Sequence, residues 1–486
     1  MFKGREEELS ALASLWDKST SSLVTCRGRR RIGKSSLIEE FARRTADAFV
    51  VLEGIAPRKG LSDRQQRAHF CEQLSVFAQR RVRTASWFSA FQALDAAIPS
   101  TGRTVVLLDE ISWMGAYNPD FAGILKIAWD RFFSKRERLV VVLCGSVSAW
   151  IAQNILNSTG FVGRNSLDLE LGELLFPTCM ELLGPLGRHL SVDERIDFLS
   201  VTGGVPKYLL EIHPEYSVEE NVRRMCFTRN GLLFREFDET FASVFGRATA
   251  SRRKALENLA DRPVSVSEFA VRAHAPASGR LSKILQDLQH AGFVGKDAGL
   301  NPMTGEPLRR ERYRISDNYT RFFLKCIEPH RQSIEQGLFR FASLEQLANW
   351  DGIMGLQFEN LVVGHKAELF PLLGLDRSLI LSAAPYIRRP KSGEGLQIDL
   401  LIQTKKSFFV VEVKRRRRIP YEVVDEVERK VKLLPVPADK SIRTALVYSG
   451  ELDRRIETDH GFDFIIPASR LVGGPENGRK EGEVVA

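Results

Sequence analysis

A glycine-rich stretch near the start of the sequence has the residue types and the spacing that suit a bound phosphate group. It reads Gly28-Arg29-Arg30-Arg31-Ile32-Gly33-Lys34-Ser35 and fits the pattern GxxxxGK followed by Ser or Thr. Residues 22–26 before it, Ser-Leu-Val-Thr-Cys, predict a short buried strand, and residues 36–44 after it predict an amphipathic helix. Glycines let successive backbone N–H groups turn toward a phosphate, and a helix start adds partial positive charge. This context favours a phosphate-binding loop over a turn that carries a lysine by chance.

Six positions of this loop are candidate nucleotide contacts. They are Gly28, Ile32, Gly33, Lys34, Ser35 and Ser36. In such a loop the lysine reaches the β- and γ-phosphates, and the hydroxyl of Ser35 binds Mg²⁺. The sequence therefore predicts ATP and Mg²⁺ as cofactors.

Two acidic residues follow the next strongly apolar run of the sequence. Residues 104–108 are apolar apart from their first threonine, as in a strand covered on both faces, and Asp109 and Glu110 come directly after them. Hydrolysis of a nucleotide needs a carboxylate for the Mg²⁺ shell and a group that orients the attacking water. We expect Asp109 to serve the first purpose and Glu110, as a catalytic residue, the second. The alternative is a buried strand that ends in two solvated acids.

A third apolar run, residues 139–144, ends in Gly145-Ser146. In an open α/β sheet, the carboxyl ends of the strands form the edge at which ligands bind. Ser146 is therefore a candidate sensor of the γ-phosphate. A simple turn serine is the alternative interpretation.

The composition is that of a globular protein with a moderate excess of positive charge. The chain has 486 residues, with 70 Lys and Arg against 61 Asp and Glu, which gives a net charge of +9. This charge permits a polyanionic partner such as nucleic acid. No apolar run approaches the ~20 residues of a spanning helix, and the six cysteines lack zinc-ligand or disulfide-framework spacing. We therefore expect a cytoplasmic protein without a membrane span.

The opening of the chain and the glycine-rich loop together resemble a known family. Phe2-Lys3-Gly4-Arg5-Glu6, with Leu9, resembles the F-x-G-R-x-x-E-L opening of the AAA+ and STAND ATPases. The loop is similar to the GRRRIGK version found in their archaeal-type branch, which also occurs in bacteria. The resemblance covers about residues 1–240. It implies a P-loop ATPase core over residues 1–170 and a helical lid over residues 171–244, with the opening packed near the adenine.

Two further elements of that branch have matches in this chain. Gly163-Arg164 follows the third apolar run, and Gly203-Gly204-Val205-Pro206-Lys207-Tyr208 lies in the lid region. By resemblance, Arg164 is a candidate catalytic residue, as an arginine finger, or a lid contact. A surface cation on a loop is the alternative. The resemblance favours the glycine pair as a lid hinge.

Residues 245–330 have the pattern of three helices and a hairpin, which looks like a winged helix. The same ATPase branch carries one at this place. By resemblance, the third helix enters a major groove of DNA and the basic wing touches phosphate. The basic residues that fit this role are Arg280, Lys283, Arg309, Arg310 and Arg312. Winged helices also dock proteins, and Asp287 and Glu311 reduce the positive charge of this surface, so both interpretations stay open.

Three residues in the last third of the chain place charge within otherwise apolar strands. Glu412 and Lys414 are two residues apart in one predicted strand and therefore point to the same face, and Asp399 lies in the strand before it. Charges on an apolar strand are costly unless they serve a function or pair with each other. A buried salt bridge between Glu412 and Lys414 is the structural alternative to a catalytic site.

The spacing of these residues resembles the core of the PD-(D/E)xK nuclease superfamily, and Glu359 matches the helix carboxylate of that superfamily. The proline of the motif is absent, since Ile398 precedes Asp399. The resemblance implies a restriction-endonuclease-like α/β domain over residues 331–472. In it, Glu359, Asp399 and Glu412 would hold Mg²⁺, and Lys414 would act on the attacking water as a catalytic residue.

The nuclease-like motif is followed by a basic run and, later, by a polar tail. Residues 414–418 are all Lys or Arg, and they would either follow a phosphate backbone or form a solvated strand end. Residues 473–486 are polar and predict a disordered tail.

Together these patterns predict an α/β protein in which a P-loop AAA+/STAND ATPase domain with a helical lid precedes a winged helix and a C-terminal restriction-endonuclease-like domain. The predicted function couples the nucleotide state to DNA binding and to Mg²⁺-dependent DNA cleavage. DNA is the expected partner, with a homo-oligomer as a further possibility. The alternative function is a STAND-type switch, in which the nucleotide controls assembly and the last domain binds a partner without cutting it.

Overall fold

The computed structural model describes residues 2–146, 148–246, 249–273, 279–308, 311–341, 343–389 and 394–473. These residues form two compact units. Unit 1 comprises Met1–Leu174, Glu239–Thr249 and His290–Gly292, and unit 2 comprises Leu175–Asp238, Ala250–Gln289 and the described residues from Phe293 on. The finer division at residues 170, 244, 330 and 472 stays a prediction.

Unit 1 is built on a parallel sheet of five strands. Its strands are β1 (Ser22–Gly28), β2 (Ala48–Glu53), β3 (Thr104–Asp109), β4 (Leu139–Gly145) and β5 (Asn165–Leu171). They lie in the order β2-β3-β4-β1-β5, and all neighbours run in the same direction. The centre of the sheet is almost fully buried, as the continuous apolar runs predict. Because the strands are parallel, the residues that follow β1, β3 and β4 meet at one edge of the sheet.

Helices surround this sheet and form its aromatic core. They are α1 (Glu6–Ala13), α2 (Lys34–Thr45), α3 (Asp63–Phe77), α4 (Trp87–Ala97), α5 (Ile111–Met114), α6 (Phe121–Arg131) and α7 (Ser148–Ile151). Trp87, Phe91 and Phe121 are fully buried and in mutual ring contact, with Trp87 and Phe121 centroids 4.8 Å apart. This core fixes β3 and β4, whose ends carry the candidate site residues.

A helical segment follows. Its helices are α8 (Phe176–His189), α9 (Val192–Thr202), α10 (Pro206–Leu209), α11 (Val218–Cys226) and α12 (Leu232–Phe245). Helix α9 begins with a capping box, in which Ser191 and Glu194 satisfy each other's backbone N–H groups. It ends at Gly203, whose φ of 61° is a backbone conformation that suits glycine.

Three helices and a small antiparallel sheet come next, as the sequence pattern predicts. The elements are α13 (Thr249–Leu259), β6 (Val264–Ser265), α14 (Val266–Arg272), α15 (Gly279–His290), β7 (Val294–Asp297) and β8 (Arg312–Ile315). The strands pair in the order β6-β8-β7. Arg309 and Arg310, the expected wing contacts, lie outside the described residues.

The last part of unit 2 contains a mixed five-stranded sheet. Its elements are α16 (Asn318–Phe322), α17 (Arg331–Glu335), α18 (Trp350–Gly364), α19 (Leu369–Leu372), β9 (Ile380–Arg388), β10 (Leu396–Thr404), β11 (Ser407–Ile419), α20 (Glu422–Leu433), β12 (Ser441–Leu452), α21 (Arg454–Thr458), β13 (Phe464–Pro467) and α22 (Ser469–Val472). The strand order is β13-β12-β11-β10-β9. Strand β10 is antiparallel to both of its neighbours, β9 and β11. Strands β11, β12 and β13 run parallel to one another.

Strand β11 positions the charged residues of this sheet. Phe408 and Val410 on one of its faces pack with Val423 and Val427 of α20. Because side chains alternate along a strand, Glu412 lies on the same face and therefore points toward α20. The strand continues through the basic run, since it still pairs with β12 at Ile419↔Leu452. The run is thus part of the sheet and is bulged between Arg415 and Arg418.

Two structural features bear on the membrane span and on the cysteines that the sequence analysis considered. Across the described residues, no helix combines the length and the apolar character that crossing a membrane requires. All six cysteines are buried and none forms a disulfide.

Candidate functional site

The glycine-rich loop of unit 1 curls around its own lysine. Nζ of Lys34 donates hydrogen bonds to the carbonyl oxygens of Gly28 and Arg29, both at 3.0 Å, and the side chain is only 7% exposed. Gly28 has a φ of 148°, and a Cβ there would lie 2.5 Å from the carbonyl oxygen of Leu171. Gly33 has a φ of 93° and leads directly into α2. Both glycines are therefore required by the backbone.

The remaining loop residues differ in exposure. Ile32 is buried, Ser35 is half-buried and Ser36 is exposed on the first turn of α2.

The guanidinium of Arg5, from the opening motif, donates to the carbonyl oxygens of Ile32 at 3.5 Å and of Gly172 at 2.5 Å. The opening of the chain is thus attached to the loop.

The predicted magnesium residues meet at the end of β3. The hydroxyl of Ser35 donates to Oδ2 of Asp109 at 2.6 Å. Hydroxyl and carboxylate oxygens are the ligands that Mg²⁺ prefers, so this pair fits the cation that the motif implies. Ser35 and Asp109 would hold it there.

Glu110 has a constrained backbone and a fixed side chain. Its φ of 47° and ψ of 48° lie in the left-handed region, which is unusual for a residue with a side chain and often marks a functional position. Its Oε2 accepts hydrogen bonds from the backbone N–H of Ser146 at 3.1 Å and from the Ser146 hydroxyl at 2.9 Å. Burial raises the pKa of Glu110, and the charge of Lys34 and the Ser146 donors oppose that rise. Ser146 therefore holds Glu110 in this structure.

Arg164 lies away from this group. It directly precedes β5, whose first residue, Asn165, pairs with Leu23, whereas the loop residue Gly28 pairs with Leu171 at the other end. Seven residues of strand span about 20 Å, so Arg164 is at the opposite edge of the sheet. Its guanidinium donates to both carboxylate oxygens of Asp130, at 2.7 and 3.1 Å. Arg164 consequently cannot contact a phosphate in the loop of its own chain.

The Gly-Gly-x-Pro-x-Tyr element joins two helices. Gly203 caps α9, and Pro206 occupies the first turn of α10. Tyr208 is fully buried, packs edge-on against Tyr319 with centroids 5.4 Å apart, and donates to Glu236 at 3.1 Å. These contacts give the element a packing role within unit 2.

The predicted DNA-contacting residues of the three-helix segment divide into two groups. Arg280 and Lys283 are exposed on α15. Arg312 is instead paired with Glu268 at 2.8 Å and is 13% exposed, which removes it from the expected phosphate contacts. Asp287, expected to weaken the basic face, is neutralised by Arg252 at 2.6 Å.

A cleft of about 980 Å³ in unit 2 brings together the four residues of the nuclease-like motif, Glu359, Asp399, Glu412 and Lys414. Nine of its lining side chains are Lys or Arg and five are Asp or Glu. We call it the basic cleft. Arg416 and Arg417 line it and are exposed, whereas Arg415 is bound to Asp197 of α9 at 2.9 Å. Burial raises the pKa of Asp197 to about 6, and Arg415 opposes that rise.

Asp399 and Glu412 stand at the centre of the sheet. Leu400 of β10 pairs with Val411 of β11. Asp399 directly precedes Leu400 and Glu412 directly follows Val411, so the two carboxylates lie next to each other on antiparallel strands. Oδ2 of Asp399 accepts a hydrogen bond from the backbone N–H of Val413 at 2.9 Å. Burial, followed by the negative charges of Glu412 and Glu359, raises the pKa of Asp399 well above its usual range, while Lys430 opposes the rise.

Two lysines and two glutamates form a closed set of ion pairs, which we call the lysine–glutamate ring. Lys414 contacts Glu412 at 2.6 Å and Glu426 at 3.1 Å, and Lys430 contacts the other oxygens of the same two carboxylates at 2.6 and 3.1 Å. Glu412 is 1% exposed. The predicted buried pair of Glu412 and Lys414 is therefore present, but as half of a larger group.

Lys430 and Glu426 did not emerge from the sequence motifs. The signal that could have revealed Lys430 is its place on α20, where Val423, Val424, Val427 and Lys430 form the buried face. A lysine on a buried helix face is rare unless its charge is paired. Glu426 lies four residues before it and completes the ring.

Glu359 of α18 faces a different set of charges. Burial raises its pKa, and the guanidinium groups of Arg321 and Arg314 oppose that rise. Glu412 then acts in the same direction as burial. Glu359 is therefore electrostatically linked both to Glu412 and to two arginines.

The expected three-carboxylate metal site is not preformed. Among the described residues, no three His, Cys, Asp or Glu side chains come together in an arrangement that could hold a metal ion. Both oxygens of Glu412 contact lysine ammonium groups, whose positive charge opposes a divalent cation at that carboxylate. The carboxylates of the cleft are nonetheless of the ligand type that Mg²⁺ prefers.

The strand order of unit 1 and its glycine-rich loop define the class. The parallel sheet, with the loop at the end of β1, an Asp-Glu pair at the end of β3 and a polar residue after β4, is a P-loop ATPase fold.

Comparison with known proteins finds relatives in archaea. An uncharacterized protein of Methanocaldococcus jannaschii is 22% identical over 440 residues, which cover 89% of this chain and 92% of that protein. An uncharacterized ATP-binding protein of the same organism is 44% identical over 41 residues, 8% of this chain and 70% of that protein. No protein-family model matches the chain.

Comparison with solved structures finds partial similarities. The Walker-type ATPase of Pyrococcus abyssi has a TM-score of 0.46 and 17% identity, covering 66% of this chain and 96% of its own. The ORC2 protein of Aeropyrum pernix, in ADPNP–ADP complexes, has a TM-score of 0.42 and 12% identity, with 69% and 95% covered.

Replacing Ser146 with alanine should raise the pKa of Glu110 further. The hydroxyl donor stabilises the ionised carboxylate, so its loss favours the protonated form and moves half-ionisation to higher pH. A ¹³C NMR titration of carboxyl-labelled glutamates would measure this change, with Glu110→Gln to assign the signal. An unchanged midpoint in Ser146→Ala would show that the hydrogen bond does not act on the ionised group.

Proposed function

We propose that the protein binds and hydrolyses ATP at the loop of unit 1. Two hydrogen bonds beside the buried Lys34 carry this proposal. Ser35 donates to Asp109, and Ser146 donates to Glu110. When bound, Mg²⁺ would neutralise phosphate charge at Ser35 and Asp109. Lys34 has the charge and the position to exchange its carbonyl partners for phosphate oxygens. Glu110, once ionised, would accept a hydrogen bond from the attacking water and orient it.

We propose further that unit 2 binds DNA in the basic cleft and cleaves it in a divalent-metal-dependent reaction that the nucleotide state controls. What supports the proposal is the excess of basic side chains in one cleft with Asp399, Glu412 and Lys414. Exposed arginines attract the phosphate backbone without regard to sequence. Lys414 would then act on the attacking water. The three-helix segment, as a winged helix with Arg280 and Lys283 exposed, would add a second DNA contact.

A specific observation favours the second candidate function. Both oxygens of Glu412 are paired with lysines of the same chain, as in a domain that binds and does not cut. Under this alternative, the protein is a nucleotide-controlled switch of the STAND type. A second copy of the chain would be its assembly partner, and Arg164 would reach a nucleotide only across such an assembly.

Lys34→Ala should abolish ATP binding, while Glu110→Gln should bind ATP normally and lower the hydrolysis rate by about 10²- to 10⁴-fold. Lys34 meets the ground-state charge of the phosphates, whereas Glu110 acts on the water. Filter binding and phosphate release separate the two steps, and Glu39→Gln, an exposed change on the same helix, is the control. Wild-type turnover in Glu110→Gln would refute the role of Glu110.

DNA binding should depend strongly on salt, and Arg416→Ala combined with Arg417→Ala should reduce the slope of log K against log salt by roughly two units. Each exposed arginine that meets a phosphate releases about one counterion. Fluorescence anisotropy with a short duplex measures the slope. The charge-matched control is Lys405→Ala with Lys432→Ala, two lysines exposed outside the cleft. Equal slopes for both double variants would exclude the cleft as the binding surface.

Cleavage distinguishes the two functions of unit 2. Wild-type protein should nick supercoiled plasmid in Mg²⁺ in at least one nucleotide state, and Asp399→Asn and Lys414→Ala should each abolish nicking while duplex binding is retained. Agarose electrophoresis with ATP, ADP and no nucleotide provides the measurement. Duplex binding without nicking in all three states would favour the switch.

A further inference from the structure

The two ammonium groups of the lysine–glutamate ring oppose the approach of any cation to Glu412. Each carboxylate oxygen of Glu412 already has an ammonium group at 2.6 Å. A carboxylate oxygen keeps a second lone pair beside the ammonium, but the positive charge of the ammonium at that distance repels a divalent cation that approaches the same oxygen. Cation binding at Glu412 is therefore favoured when at least one lysine moves away.

Lys430 is the lysine that competes most directly. It is 7% exposed, and its neighbours on α20 hold it on the buried face of the helix. Its charge acts on Asp399 and on Glu359 as well as on Glu412. Of the three carboxylates of the motif, Lys430 contacts Glu412 directly, and its charge opposes the rise in pKa of the other two. Lys414, in contrast, extends from the same strand as Glu412 and is 20% exposed.

Glu426 determines where Lys430 can go. It contacts both lysines at 3.1 Å and is more exposed than Glu412, with 36% of its side chain accessible. An ammonium that leaves Glu412 can therefore keep Glu426 as its partner. This second carboxylate lowers the cost of opening the ring, because the lysine is not left buried without a counter-charge.

We propose that Lys430 and Glu426 form a latch on the metal site of the proposed nuclease, in which the ammonium of Lys430 opposes the binding of a divalent cation at Glu412 until it leaves Glu412 and keeps Glu426 as its partner. The inference rests on the proposed function of unit 2. Lys430 acts as a positioning residue, since it controls Glu412 and does not touch the substrate bond. Phosphate groups that enter the basic cleft offer Lys430 a further anion, so the latch opens when DNA is present.

The latch predicts that removing the Lys430 charge strengthens metal binding. In the full-length protein without nucleotide, Lys430→Met should bind Mn²⁺ about tenfold or more tightly than wild type, the size of a typical coupling between competing ligands. Calorimetry measures this affinity independently of cleavage. Lys432→Met, on the same helix with a side chain 77% exposed, is the matched control and should leave the affinity unchanged. Adding Asp399→Asn to Lys430→Met should remove the gain, which locates it in the cleft.

The unfolding temperature of Lys430→Met provides a second test of the latch. Without metal, Lys430→Met should unfold at a lower temperature than wild type, since Glu412 loses one of its two counter-charges, and millimolar Mn²⁺ should restore it. If Lys430→Met does not fold, Lys430→Gln retains a hydrogen-bond donor and should show the same gain in affinity. A short DNA duplex should raise the Mn²⁺ affinity of wild type and leave that of Lys430→Met nearly constant.

The outcomes separate the latch from the function on which it rests. Equal and measurable Mn²⁺ affinities in wild type and both Lys430 variants would overturn the latch and leave the metal site standing. An absence of Mn²⁺ binding in all of them at millimolar concentration would overturn the metal-dependent nuclease together with the latch. A gain that survives Asp399→Asn would assign the metal to another site and also overturn the latch.

Discussion

A charge removed from water must meet an opposite charge or a hydrogen-bond partner, and this constraint shapes both candidate sites. In unit 1, the buried ammonium of Lys34 is satisfied by two backbone carbonyl groups, which the glycines of the loop make available. In unit 2, the charge of the buried Glu412 carboxylate is paired with those of two lysines. In each case the partners occupy the positions that an ionic ligand would need. The same contacts therefore keep each charged side chain in position and occupy the place that its ligand would take.

Much of this architecture could be predicted because the signals are local. The loop around Lys34 depends on fixed spacing between glycines and on the strand and helix next to it, all of which are visible within about twenty residues. The runs that became β3 and β4 are apolar because both faces of a parallel sheet are covered. Asp109 ends β3 and Ser146 follows β4, so parallel topology alone brings them to one edge. The same reasoning predicted that Glu412 and Lys414 share a face of β11.

What the sequence did not reveal depends on contacts between distant elements. Arg164 matches a motif, but only the register of β5 against β1 shows that it lies at the far edge of the sheet, bound to Asp130. Arg312 lies in the expected strand, yet its pairing with Glu268 depends on how α14 packs. Lys430 belongs to no motif, and its importance comes from the packing of α20 against β11. Spacing along the chain identifies which residues can do chemistry, whereas packing decides which of them are free to do it.

The bond between Arg415 and Asp197 has a mechanical consequence. Asp193 of the same helix α9 accepts a hydrogen bond from Ser449 of β12 at 2.6 Å, so α9 is attached to two adjacent strands of the mixed sheet. Two contacts to adjacent strands restrain the sliding and rotation of α9 relative to the sheet. A displacement of α9 would therefore pull on the strand that carries the basic run, and the arginines of the cleft would feel it through the Arg415–Asp197 pair.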